Sequence, residues 1–230
     1  MRVSVVIPAV NEAAHIARAV GAALQAGADE VIVADGGSED QTADVARAAG
    51  ATVVASPRVR ANQQSVGAAT ASGDVLLFQH ADNWCGPQSV TQIKAAVQRC
   101  GVRCGAFRQR IAASGFAYRV LEWGNAWRAR WLGLPYGDQG LFVCAEQFHA
   151  AGGFPEVPLM EDLLLMRRLR KTMRPALLPG PHYVSARRWQ KHGVARQTLR
   201  NWWLLSAFAC GMPLARLAGH YAAHDKANVD

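Results

Sequence analysis

Over the first hundred positions, short apolar blocks alternate with stretches of helical spacing. Arg2–Ile7 is rich in valine and isoleucine and reads as a strand stopped by Pro8. Asn11 is a helix-capping residue type, and beyond it Ile16, Ala19, Val20, Ala23 and Leu24 recur at helical intervals. Glu30–Ala34 reads as a second strand running into Asp35-Gly36-Gly37-Ser38. Thr42–Ala49 reads as a helix capped by Gly50, and Thr52–Ala55 as a third strand. Arg60–Ala71 is helical or loop-helical and is closed by Gly73, and Val75–Gln79 is the continuous apolar run of a buried parallel strand. This rhythm predicts βαβ units: an α/β fold with a mostly parallel central sheet and helices on both faces.

After residue 100 the rhythm changes. Cys104–Ile111 reads as a strand, Phe116–Leu132 as a long aromatic helix, Gln139–Val143 as a strand and Ala145–Ala151 as a short helix. Leu163–Lys171 and Val194–Ala209 follow as helices. There is no internal repeat and no low-complexity linker, so residues 1–230 read as one domain. Residues 1–100 read as a nucleotide-binding half and residues 101–230 as an acceptor-side half of the same domain.

Half of the residues are apolar and 18% are charged, enough for a sizeable core and against wholesale disorder. The net charge of +8 fits an acidic partner: a nucleotide diphosphate, a nucleic acid or an anionic membrane. No nucleic-acid-binding module is visible, which argues against the second. The five cysteines lack zinc-ligand or paired spacing and read as reduced thiols of a cytoplasmic protein. The N-terminal apolar run is too short for a signal peptide, and no stretch reaches the roughly 20 apolar residues of a membrane span. Arg200-Asn201-Trp202-Trp203 suits a membrane interface, although core packing is the commoner fate of such tryptophans.

Three acidic stations carry the candidate chemistry. Asp35 meets Gly36-Gly37 at a strand end, where it can accept hydrogen bonds from a base or ribose; Asp-Gly is equally common turn chemistry. Asp82 follows the strand Val75–Phe78 and can hold a divalent cation bridging two phosphates, or cap a helix. His80, two residues earlier, shares its side if the strand continues, and an imidazole favours Mn²⁺ over Mg²⁺. Glu161-Asp162 begins a helix, where the dipole favours negative charge and suits Asp162 to general-base work, or to simple capping. Gly137-Asp138-Gln139-Gly140 reads as a turn or a ligand contact. Arg187-Arg188-Trp189 joins guanidinium donors to an aromatic platform that suits phosphate and sugar.

Taken in order, these motifs resemble family 2 glycosyltransferases of the nucleotide-diphospho-sugar transferase (GT-A type) fold. Val-Val-Ile-Pro-Ala-Val-Asn-Glu resembles that family's opening strand and turn, and Val-Ala-Asp-Gly-Gly-Ser its base-binding segment. Gly73-Asp74 through His80-Ala81-Asp82 resembles the approach to its D-x-D motif, and Glu161-Asp162 its catalytic pair. Gly-Asp-Gln-Gly, Leu-Met-Glu-Asp and Ser-Ala-Arg-Arg-Trp resemble a small bacterial branch named for arsenosugar biosynthesis.

The resemblance implies an inverting, metal-assisted transfer from a nucleotide-diphospho-sugar to an acceptor hydroxyl. It places Pro8, Asn11, Glu12, Asp35, Arg60, Gln63, His80 and Ala81 around the nucleotide. Asp82 would hold Mg²⁺ or Mn²⁺, with His182 as a further candidate ligand. Asp162 would be the base. Gly137, Asp138, Gln139, Glu161, Arg188 and Trp189 would contact donor or acceptor. The chain departs from the family pattern at His80, which stands for the first aspartate of D-x-D, and at Ser185, which stands for the glutamine of Q-x-x-R-W. The first departure keeps open a nucleotide-binding protein without transfer activity. The acceptor, small or lipid-linked, the base, a peripheral membrane contact and a homodimer are not fixed by the resemblance.

Overall fold

The computed structural model describes residues 1–226. The alternation of the first half appears as expected: β1 (Val3–Ala9), α1 (Ala13–Gln25), β2 (Glu30–Asp35), α2 (Thr42–Ala48), β3 (Thr52–Ala55), α3 (Arg60–Thr70) and β4 (Val75–Phe78). The remainder is β5 (Asn83–Cys85), α4 (Ser89–Cys100), β6 (Cys104–Ile111), α5 (Phe116–Leu132), a 3₁₀ turn (Gly137–Gln139), β7 (Leu141–Cys144) and α6 (Ala145–Ala150). Then come α7 (Glu161–Leu169), β8 (Ala176–Val184), α8 (Arg187–His192), α9 (Val194–Ala209) and α10 (Leu214–Lys226).

The eight strands form one mixed sheet in the order β3-β2-β1-β4-β7-β6-β8-β5. Only β7 and β5 run against the rest. From β1 the chain steps outward to β2 and β3, then returns to β4 on the other side of β1. The β1/β4 boundary is therefore a topological switch point, where open α/β sheets hold ligands beyond the carboxyl ends of their strands.

Strand alternation divides the core. Val5 and Leu77 face α1 and α4, packing with Ile16, Val20 and Ile93. Val6, Leu76 and Phe78 face α3, α6 and α7, packing with Ala68, Phe148, Leu165 and Met166. α3 approaches β1 closely because residue 67 is glycine; a Cβ there would collide with Val6. A third cluster joins Leu159, Met160 and Leu163 to Leu204 of α9 and Leu217 of α10.

Several sequence expectations are corrected. Pro8 lies inside β1, past the end of the β1–β4 pairing at Val6, an edge position that tolerates a missing N–H. Asn11 does not cap α1. It adopts φ 53° and its Oδ1 accepts from Glu39 N–H at 2.8 Å, while Thr42 Oγ1 and Asp40 Oδ2 accept from Glu12 and Ala13 N–H. Gln139 sits in the 3₁₀ turn, and the following strand begins at Leu141. Trp202 and Trp203 are not core residues, being 65% and 45% exposed.

Candidate active site

Beyond the carboxyl end of β4 lies a cavity of about 200 Å³. Arg60, His80, Asp82, Asp138, Asp162 and Arg188 line its polar side, and Tyr136, Leu159, Leu163, Leu204 and Leu205 its apolar side. β4 ends at Phe78, so strand alternation does not set the direction of His80; the loop nonetheless brings both His80 and Asp82 to the cavity. β5 then pairs antiparallel with the end of β8, Asn83 opposite Val184. That pairing delivers α8 to Asp82.

Arg187, read from its motif as a guanidinium donor to phosphate or sugar, is engaged by two carboxylates instead. Its Nε is 2.9 Å from Asp82 Oδ2, and its terminal nitrogens meet both Glu12 oxygens at 3.1 and 2.5 Å. Burial opposes ionisation of Asp82, but His80, Arg187 and Arg188 together hold its carboxyl below the usual range. Burial and then Arg60 push His80 down to about 4, so its imidazole is neutral with a lone pair to donate. Among the described residues no group of three or more His, Cys, Asp or Glu could cage a metal. One ionised carboxylate and one neutral imidazole instead fit a divalent ion that takes most of its ligands from a diphosphate.

Asp162 stands in the first turn of α7 with each oxygen held by backbone. Gly137 N–H donates to Oδ2 at 2.5 Å, and Leu163 N–H to Oδ1 at 2.7 Å. A Cβ on Gly137 would lie 3.0 Å from His80 Nε2 and 3.1 Å from Asp162 Oδ2, so glycine keeps the gap between them clear. The residue before the motif, Met160, adopts φ 64°, a left-handed conformation uncommon for a non-glycine residue and costing about 1 kcal/mol or more. It is held there by burial in the third cluster.

Glu161 points away from the cavity lining. It is 1% exposed and forms a bidentate pair with Arg60 Nε and Nη2, the latter at 3.3 Å. Its carboxylate anchors α7 to α3 and sets where Asp162 emerges. Glu161→Leu is expected to lower unfolding stability by about 2 kcal/mol, the discount from a fully buried pair reflecting the hydration open to Arg60. Urea denaturation of Glu161→Leu and of Arg60→Met/Glu161→Leu checks this. The double variant should recover part of the loss, and equal losses would show that the pair is not what matters.

Other expected site residues take supporting positions outside the cavity lining. Asp35 accepts from Gly37 and Ser38 N–H at 3.2 and 3.1 Å and from the Ser38 hydroxyl, shaping the β2–α2 loop. Gln63 donates to the carbonyls of Ala9 and Ala34 at 2.8 and 3.0 Å, tying β1 to β2. Ala81 is buried in the first core cluster. Gln139 is buried and accepts from Arg128 at 2.9 Å and from Tyr136 N–H at 3.2 Å. Asp138 does reach the cavity; burial pushes its carboxyl up, against the pull of Arg128, and its Oδ1 has no hydrogen-bond partner. Trp189 lines the mouth and meets Tyr118 edge-on at 6.4 Å.

His182 is fully buried under Gly140 and stacked on Phe107, with both ring nitrogens unpartnered. It does not line the cavity beside Asp82. Burial and then the neighbouring His80 push it down to about 3. As pH falls below 6.5 the unfolded chain takes up this proton and the folded one does not. Stability is therefore lost by up to about 1.4 kcal/mol per pH unit from about 6.5 downward. His182→Leu is expected to melt with a shallower pH dependence than the parent between about pH 6.5 and 5; parallel melting curves would remove His182 as the cause.

The model of glycosyl transferase family 2 matches residues 4–154. The chain belongs to that family. Among curated proteins none matches it. Solved structures supply the fold. The S. aureus TarS fragment 1–349 in complex with UDP superposes with a TM-score of 0.64 at 17% identity, over 80% of this chain and 60% of that one. Glucosyl-3-phosphoglycerate synthase from Mycobacterium tuberculosis with Mg²⁺ and UDP gives 0.59 at 19%, over 92% and 80%. The same enzyme with Mn²⁺, UDP and phosphoglyceric acid gives 0.57 at 20%, over 92% and 79%. The chain thus spans about 60% of the TarS fragment. These likenesses establish a GT-A fold, in which Asp35 ends β2, Asp82 lies in the loop beyond β4 and Asp162 sits in the first turn of α7.

Proposed function

We propose that this family 2 protein is an inverting glycosyltransferase that uses a UDP-sugar. The reading rests on one observation above others: Asp82 and Asp162, one suited to a diphosphate's cation and one to an acceptor proton, line the same cavity. The acceptor hydroxyl oxygen attacks the anomeric carbon and Asp162 takes its proton. The bond from that carbon to the diphosphate oxygen breaks, and its electron pair leaves with the nucleoside diphosphate. Arg188 and Trp189 close over the donor, and Asp138 offers its unpartnered oxygen to a sugar or acceptor hydroxyl. Mg²⁺ or Mn²⁺ held by Asp82 with His80 would neutralise charge on the leaving diphosphate. UDP in both neighbours supports uridine as the base.

Residues 1–100 would then carry the nucleotide, with Glu12 and Asp35 at its rim, and the later helices would carry the acceptor. The apolar side of the cavity suits an acceptor with a hydrophobic portion, and the Gly137–Gly140 and Arg187–Trp189 motifs support the arsenosugar-named branch.

Titration calorimetry with UDP and GDP, with and without Mn²⁺, tests this, followed by incubation with UDP-sugars. Mn²⁺-dependent binding of UDP is the expected result. Binding without hydrolysis or transfer of any UDP-sugar would favour the second reading, a nucleotide-binding protein without activity. That reading draws on Arg187 already neutralising Asp82.

A further inference from the structure

The α5 helix is inside out. Phe116, Val120, Trp123, Trp127 and Trp131 recur at intervals of four, three, four and four, which is one helical face. They are 84, 49, 71, 50 and 63% exposed. Three long polar residues of α5 turn inward. Arg119 donates to the carbonyls of Ile111 and Ala113, Glu122 accepts from Ile111 N–H at 2.6 Å, and Arg128 donates to Leu134 and Gln139. An isolated exposed tryptophan is ordinary; a four-turn stripe of three tryptophans and a phenylalanine is an interaction surface.

The charge beside it is of one sign. Residues 1–162 hold 13 Lys and Arg against 15 Asp and Glu, whereas residues 163–220 hold 11 against none. Arg170, Lys171 and Arg174 line the same shallow hollow as Trp131 and Leu132, at the C-terminal end of the stripe. Arg170 is fixed there by donating to the Leu132 carbonyl at 2.9 Å. On α9, Leu199 and Trp202 are also exposed, while Asn201 and Leu204 of that helix line the cavity.

We propose that the α5 stripe and its flanking basic residues dock the protein on an anionic lipid bilayer, lying on the surface without crossing it. Among the described residues no helix is long and apolar enough to span a membrane. Indole rings favour the boundary between acyl chains and headgroups, and Lys and Arg beside them favour anionic headgroups. Charge argues against a second copy of the chain as the occupant. A two-fold contact would use this same face on both copies, and the hollow beside the stripe is lined by three cations and no carboxylate to pair with them. The proposal stands apart from the transferase reading, since nothing in it depends on the cavity's chemistry.

Co-sedimentation of the full chain with vesicles of phosphatidylcholine alone, and of phosphatidylcholine mixed with phosphatidylglycerol, tests it. Binding to the mixed vesicles only, weakened by added salt and accompanied by a blue shift of tryptophan emission, is expected. Trp123→Ser/Trp127→Ser/Trp131→Ser and Lys171→Glu/Arg174→Glu should each weaken partitioning roughly tenfold or more. Far-ultraviolet circular dichroism, melting and UDP affinity should stay at parental values, because all five side chains are exposed. Parental protein left in the supernatant with both vesicles would overturn the proposal, as would equal binding to both or unchanged binding by the tryptophan variant. A parental dimer in light scattering that the tryptophan variant turns into a monomer would assign the stripe to a second copy, and so overturn it too.

Discussion

Asp162→Asn is expected to lower sugar transfer by about 10²- to 10⁴-fold while UDP affinity changes by less than about twofold. The amide matches the carboxylate in shape but has no basic oxygen to take the acceptor's proton. The structure adds a secondary cost. Two backbone N–H groups, of Gly137 and Leu163, donate to different oxygens of Asp162, and an amide can accept only on one side. One donor then faces an NH₂ group, so a loss of about 1 kcal/mol in stability should accompany the loss of rate. Single-turnover kinetics with a radiolabelled UDP-sugar, beside UDP titration and melting, separates the two. Transfer within about tenfold of the parent would remove Asp162 as base. It would direct attention to Asp138, the carboxyl in the cavity that Arg187 does not engage.

Two substitutions at the Asp82 contact are expected to move metal dependence in opposite directions. Asp82→Ala should abolish the gain in UDP affinity that Mn²⁺ gives, leaving metal-free binding unchanged. Arg187→Ala should lower the Mn²⁺ concentration needed for half-maximal UDP binding by about tenfold, equivalent to about 1.4 kcal/mol. The reason is competition. Arg187 Nε lies 2.9 Å from the same Asp82 oxygen that a cation would take, and Glu12 holds the guanidinium in place on its other side. A cation entering with the diphosphate must displace that contact. Calorimetry over a Mn²⁺ series reads both variants. If Arg187→Ala loses UDP binding with and without Mn²⁺, Arg187 itself is the site's permanent cation and the metal plays no part.

Three parallel strands were legible because they are buried on both faces. β1, β2 and β4 therefore read as unbroken apolar runs, and the helices between them carry their apolar residues on one side. α4 carries a comparable signal in Val90, Ile93, Ala96 and Val97, but no side chain caps its start, and the linear pattern leaves it unassigned. β8 was illegible for a stronger reason. Pro179-Gly180-Pro181 reads as a break, yet pairing with β6 stops at Leu178 and resumes at His182 across a register shift. β5 is three residues long and exists only through its pairing with β8. Asp35, Asp82 and Asp162 were found from their neighbours along the chain. Whether each carboxylate is open to a ligand was not: Asp35 shapes its own loop, Asp82 is clamped by Arg187, and Glu161 is spent on Arg60.

Local pattern alone specified the α/β alternation and the acidic residues at strand and helix ends; the strand order that makes β1/β4 a switch point is a property of the folded sheet. Period-two and period-3.6 burial and strand-end turns are properties of neighbouring residues. The Glu12–Arg187–Asp82 clamp joins positions up to 175 apart, and no local signal encodes a contact set by the β5–β8 pairing. The same holds for the outward tryptophans of α5. An aromatic helical stripe looks identical in sequence whether it meets a core or faces outward. Here the inward side was taken by Arg119, Glu122 and Arg128, whose hydrogen bonds to buried backbone left the rings on the surface.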